Sequence, residues 1–186
     1  MLLSSSDLEV IITFALLNFV FGFLIGQVPR LIPGIPGIEY AFTIVYSITI
    51  TVSFLMYEGR RWRIFAQGLL FTLLSLFTAH SDILATVISS IISLFALDLV
   101  FTNIYGFFKK RGKLVRWSVF SQVFYWTLSP FAILLTFSLF YPLQGVIETW
   151  FIPIMSIMLP VMIIESIAGG YIGYKIYRRV EKISNN

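Results

Sequence analysis

The chain runs in long apolar stretches, interrupted by short connections that carry charges or Pro and Gly, and none of the stretches alternates apolar and polar residues with a period of two. Continuous apolar stretches of this kind are helices, because a membrane β-barrel requires inside–outside alternation along every strand. A helix rises about 1.5 Å per residue, so about 20 residues cover the ~30 Å hydrocarbon layer of a bilayer. Six candidate spans result, at 8–28, 39–57, 63–79, 83–108, 114–141 and 150–177. The third is short, and residues 78–82 beyond it read either as an outer loop or as a continuation of a tilted or re-entrant helix. The predicted fold class is all-α: one membrane domain over 1–186, with no repeat at fixed period and connections too short for a soluble domain.

Composition narrows the classes further. With 58% hydrophobic and 12% charged residues, the chain lies far from the roughly 25% charged residues of a soluble domain. Cys is absent and a single His is present, which excludes a disulfide, a thiolate nucleophile and a multi-His metal site. No metal and no cofactor are expected.

The 13 Lys and Arg residues are placed asymmetrically. Arg60, Arg61 and Arg63 follow the second span, Lys109, Lys110, Arg111, Lys113 and Arg116 the fourth, and Lys175, Arg178, Arg179 and Lys182 the sixth. Arg30 alone falls on the opposite side. Short cytoplasmic loops of membrane proteins carry this excess, so the bias predicts six transmembrane helices in the cell membrane with both termini in the cytoplasm. The net charge of +4 is thereby a topology signal, and nucleic acid is not an expected partner. Asp7 and Glu9 precede or open the first span without a cation, unlike a cleavable signal peptide, so that span is expected to be retained.

Polar and aromatic residues on the outer connections are candidates for a ligand site: Arg30, Glu39, Tyr40, His80, Asp82, Gln144, Glu148 and Trp150. The segment 27–38, QVPRLIPGIPGI, has three Pro and two Gly yet is apolar, and reads as a lid over a ligand or as a structural plug. In the fifth span Tyr125, Trp126 and Ser129 precede Pro130. A proline there frees a carbonyl and opens a concave surface, with Trp126 as the deep wall of the predicted site.

Two acids lie within spans, Asp98 and Glu165, each about 22 Å from the outer end of its helix, which predicts a shared level. Intramembrane acids face the protein interior, and structural or coupling roles with Arg63, Gln67 or Arg116 are expected of them. The alternative, a catalytic acid pair, needs the two carboxylates within hydrogen-bond reach of each other. Glycines four residues apart permit close helix approach. Gly169 and Gly173 read as internal packing, whereas Gly22 and Gly26, with Ala15 and Asn18 on the same helix, read as a contact face for another membrane protein.

Three stretches carry a resemblance: LIPGIPGIEYAF at 31–42, SLFALDLVFTNIYGFFKKRGKL at 93–114 and MIIESIAGGYIGYKIYRRVEK at 162–182. Their order resembles the substrate-binding S component of energy-coupling factor (ECF) vitamin transporters. The resemblance implies capture of a vitamin or related small organic molecule near the outer face, and association with a membrane coupling subunit and ATPase subunits. The family's A-x-x-x-A face of the first helix is broken by Phe19 after Ala15, which leaves Gly22 and Gly26 as the nearest substitute, and Leu2 replaces the His that marks cobalt and nickel uptake proteins. No GxxxxGK[ST] is present, so energy would come from partners. Two other classes stand beside it: a non-catalytic assembly or scaffold protein docking through its first helix and basic loops, and an intramembrane enzyme using Asp98 with Glu165 or His80 with Asp82. Against the enzyme, G-x-S-x-G, H-E-x-x-H and Cys are all missing.

Overall fold

The structure, a computed structural model, describes residues 3–25, 27, 42–77, 83–138, 149 and 151–184. Six α-helices and no strand occur among them: α1 Ser5–Ile25, α2 Thr43–Met56, α3 Arg63–Ser75, α4 Ile83–Lys110, α5 Leu114–Ser138 and α6 Ile152–Ser184. Among the described residues three helical segments are long and apolar enough to cross a membrane, Ser5–Ile25, Ser90–Lys110 and Ile152–Ile183. The second and third expected spans are shorter as helices than their apolar stretches: α2 has 14 residues and α3 has 13, about 20 Å each.

The helices form a closed ring in the order α1, α2, α6, α5, α4, α3 and back to α1. Directions follow from paired contacts. Asn18 meets Thr49 while Gly22 meets Tyr46, so α1 and α2 are antiparallel. Asp7 meets Arg63 while Gly22 approaches Phe71, so α1 and α3 are parallel. Gly169 lies against Ser47 and Gly173 against Thr51, which makes α2 and α6 parallel. The start of α1, the 57–62 turn, the 111–113 turn and the end of α6 therefore share one end of the bundle, hereafter the basic end.

Glycines decide how close the α6 contacts are. A Cβ on Gly173 would stand 2.8 Å from the Ile48 carbonyl oxygen, and one on Gly170 would stand 2.9 Å from the Ser118 carbonyl oxygen. Adjacent glycines thus serve two neighbours, Gly169 and Gly173 facing α2 and Gly170 facing α5. This is the internal packing expected of Gly169 and Gly173.

The tightest core sits toward the basic end, where Phe54, Leu55, Tyr57, Phe101, Tyr105 and Trp117 are buried. Tyr105 and Trp117 meet edge to face at 5.0 Å, the arrangement favoured by ring quadrupoles. Gly59, at φ 72, presses against the Tyr105 ring, where a Cβ would be 2.6 Å from it. The same turn holds Glu58 and Trp62 at φ of 51 and 73, a left-handed conformation costly for residues with a Cβ.

Local signals account for one helix start but not for two others. Ser4 and Asp7 form a reciprocal cap on α1: Asp7 N–H donates to Ser4 Oγ and Ser4 N–H to Asp7 Oδ2, both at 3.1 Å. The residues before α2 and α3, Phe42 and Trp62, provide no side-chain cap. Asp98 and Glu165, within the long apolar helices, supply it from elsewhere in the chain. Asp98 on α4 accepts from the N–H groups of Trp62 at 2.9 Å, Ile64 at 3.1 Å and Phe65 at 3.3 Å. Glu165 on α6 accepts from Ile44 N–H at 3.1 Å, with Thr43 N–H adding to it.

Because α2 and α3 are antiparallel, their N-termini lie at opposite ends of the bundle, about 20 Å apart. The expectation that Asp98 and Glu165 share a level is therefore corrected: counting residues from assumed helix starts gave equal depths, but each acid follows the helix end it caps. Their carboxylates do not pair. Of the expected partners, Arg63 pairs instead with Asp7 and Gln67 with Tyr57.

Candidate functional site

The ring encloses a cavity of about 360 Å³ to which all six helices contribute, a volume within the ~300–1,000 Å³ of small-molecule sites. Its floor is the core at the basic end, where Phe54, Ile64 and Gln67 line it. Higher up, Tyr125, Trp126 and Pro130 of α5 form a wall across the ring from Asn18 and Gly22 of α1, and Tyr46 of α2 lies between them, against Trp126 on one side and Gly22 on the other.

Trp126 is held between two rings, with Tyr125 at 5.1 Å and 78° and Tyr46 at 5.7 Å and 54°. Its Nε1 is buried and has no partner among the described residues, so the indole meets the cavity through carbon. Pro130 interrupts the α5 hydrogen-bond ladder beside this wall. Gly22 and Gly68 allow close contacts with the neighbouring helices: a Cβ on Gly22 would lie 2.9 Å from Tyr46 Oη of α2, and one on Gly68 would lie 2.2 Å from Leu94 Cδ2 of α4.

Beside the hydroxyl-bearing Thr43, Tyr46 and Tyr125, two carboxamides break the apolar surface. Asn18 is 5% exposed and Gln67 3%, and each is tethered by a hydroxyl, Thr49 Oγ1 donating to Asn18 Oδ1 at 2.5 Å and Tyr57 Oη donating to Gln67 Oε1 at 2.6 Å. No Asp, Glu, Lys, Arg or His is among the lining residues described, and no group of three or more metal-ligating side chains occurs among the described residues.

No protein-family model, curated protein or solved structure matches the chain. The cavity stands on its own geometry.

Of the expected ligand-site residues, Trp126 lines this cavity. Arg30, Glu39, Tyr40, His80, Asp82, Glu148 and Trp150 lie outside the described residues. The expected partner face of the first helix is corrected. Ala15 is wholly buried, Asn18 is bonded to Thr49, and Gly22 faces Tyr46, while Gly26 lies outside the described residues. What α1 exposes is its other face, with Leu16, Val20, Phe23 and Leu24. Small residues mark close approach to any helix, and the neighbours in this case belong to the same chain.

Sequence reasoning missed Tyr46 and Gln67 as lining residues and assigned Asn18 to the outside. An Asn or Gln inside an apolar stretch was the available signal, since membrane interiors rarely bury an amide without a partner or a use for it.

At the basic end a charged cluster joins three segments. Asp7 Oδ2 pairs with Arg63 Nη2 at 2.7 Å and Asp7 Oδ1 with Arg60 Nη1 at 2.8 Å. Asp7 and Arg63 are both buried, and Arg60 reaches water. The cluster ties the start of α1 to the 57–62 turn beneath the cavity floor.

Proposed function

We propose that this protein is the substrate-capturing membrane subunit of an ECF-type importer, taking a vitamin or related small organic molecule into the cavity within the helix ring. Separate coupling and ATPase subunits supply the energy. The cavity carries the reading: a space of about 360 Å³, walled by Tyr46, Tyr125 and Trp126 and reached by all six helices, has the size and mixed aromatic character of small-molecule sites. Support also comes from the cations gathered at one end, as expected of six spans with cytoplasmic termini, and from the resemblance of 31–42, 93–114 and 162–182 to S components. The chain contributes capture, and no residue in this reading makes or breaks a covalent bond.

Mild extraction, denaturation and mass spectrometry of the released small molecules test it. The protein is expected to carry a stoichiometric organic molecule, and Gly22→Leu, which directs a side chain into the cavity, is expected to abolish retention while the protein still folds. A preparation that retains nothing, or a Gly22→Leu protein as fully loaded as the parent, overturns the reading.

A further inference from the structure

The two buried carboxamides on the cavity wall are oriented by their tethers. The Thr49–Asn18 and Tyr57–Gln67 contacts, at 2.5 and 2.6 Å, fall in the range of O–H···O bonds and below that of N–H···O bonds. The hydroxyls therefore face the amide oxygens, Oδ1 and Oε1. Tyr57 Oη has one proton and uses it here. Thr49 Oγ1 also lies 2.9 Å from the Tyr46 carbonyl and 3.3 Å from that of Val45, but the contact to Asn18 is the shortest of the three. With both oxygens engaged, the NH₂ group of each carboxamide is left to the cavity that both residues line. These groups donate and cannot accept.

Across the ring from Asn18 the wall is aromatic, with Tyr125 and Trp126 on α5, and Tyr46 of the neighbouring α2 packs against Trp126. Aromatic walls favour flat rings, through offset or edge contacts. Charge is excluded differently: burying an ion without a counter-charge is costly, and none of the described lining residues is ionic.

We propose that the cavity selects a neutral, planar, ring-bearing molecule with hydrogen-bond acceptors on one edge, which the NH₂ groups of Asn18 and Gln67 read while the aromatic wall holds the ring. This rests on the cavity being the binding site, and it adds the chemical class of what binds there.

Three tricyclic probes of similar size separate the elements of the match: lumichrome in its neutral form, with a carbonyl edge; anthracene, flat without acceptors; and N-methylacridinium, flat and cationic. Binding to the full chain in nanodiscs is read by fluorescence, with empty nanodiscs as the reference for partitioning. Lumichrome is expected to bind at least about tenfold tighter than either other probe, the discrimination that one or two hydrogen bonds confer. Asn18→Leu with Thr49→Val, and Gln67→Met with Tyr57→Phe, remove each amide together with its tether, so neither leaves an orphaned hydroxyl in the core. Each pair is expected to weaken lumichrome about tenfold and to leave anthracene unchanged, with Thr49→Val and Tyr57→Phe alone as controls. Anthracene or N-methylacridinium binding as tightly as lumichrome, or lumichrome affinity indifferent to both paired variants, overturns the proposed match while leaving the cavity a binding site. Failure of all three probes to bind a protein that also retains no molecule of its own overturns the match and the cavity reading together.

Discussion

Asp98 and Ile64 are joined across two helices: Oδ1 of the acid, midway along α4, accepts the N–H of the second residue of α3 at 3.1 Å. The same carboxylate takes Trp62 N–H at 2.9 Å and Phe65 N–H at 3.3 Å, so it satisfies three of the four donors that a helix start leaves open. Its negative charge also complements the positive end of the α3 dipole. Glu165 does the same for α2 from the far end of the bundle. An acid that caps a helix in trans fixes the axial position of its own helix against the one it caps, and this sets the height of Gln67 in the cavity wall.

The cap gives a graded prediction. Asp98→Ala strands several buried N–H groups and is expected to cost about 3 kcal/mol, whereas Asp98→Asn keeps an acceptor oxygen and costs less. Thermal unfolding in detergent, followed by tryptophan fluorescence, is expected to order the melting temperatures as parent, Asn, Ala. Equal stability of all three would mean that α3 starts without the cap.

Glycine substitutions should divide by what a methyl group meets. Gly170→Ala forces a Cβ against the Ser118 carbonyl at 2.9 Å, and it is expected to destabilise by about 2 kcal/mol, as overpacked cores do. Gly106, also helical, has nothing within 4 Å of its would-be Cβ. Gly106→Ala is expected to be neutral or to stabilise by up to about 1 kcal/mol through helix propensity. Denaturant titrations of the two variants in matched detergent would contradict this packing if the order were reversed.

Asp7 and Arg63 form a buried pair, and breaking it from one side leaves a charge without compensation. Asp7→Ala is expected to cost about 3 kcal/mol or more. Asp7→Leu combined with Arg63→Met is expected to recover most of the loss, because both charges then leave the interior. A double variant no more stable than Asp7→Ala would show that the pair contributes nothing beyond its separate residues.

Orientation is open to direct labelling. Cysteines introduced at Ser4 and Ser184 into this Cys-free chain are expected to react with an impermeant reagent only from the cytoplasmic side, and one at Gly145 only from outside. Reaction of Ser4 and Ser184 variants from opposite sides would rule out the even number of crossings.

Helical class, apolar stretches of membrane-crossing length and the gathering of cations are legible along the chain, because they depend on local quantities: run length, absence of alternation and charge per connection. The pairing Gly169–Gly173 was legible for the same reason, since a four-residue spacing marks a helix face without naming its partner. What occupies that face is a tertiary matter. Gly22, with Gly26 four residues on, carries the same local mark as the α6 glycines, and only the ring order turns Gly22, Asn18 and Ala15 into the bundle instead of toward a second protein. The acids show the limit most sharply. Counting along Asp98 and Glu165 put both at one depth, yet each is held by backbone N–H groups from a helix remote in the chain, up to 121 positions away for Glu165. Backbone donors have no sequence signature, so a cap supplied in trans is invisible until the helices are assembled. Trp126 could be chosen from its place beside Pro130. Gln67 carried only the general signal of an amide inside an apolar stretch; its part in the cavity depends on the Tyr57 hydroxyl that turns its amide, and that hydrogen bond exists only once the segments stand at their final heights.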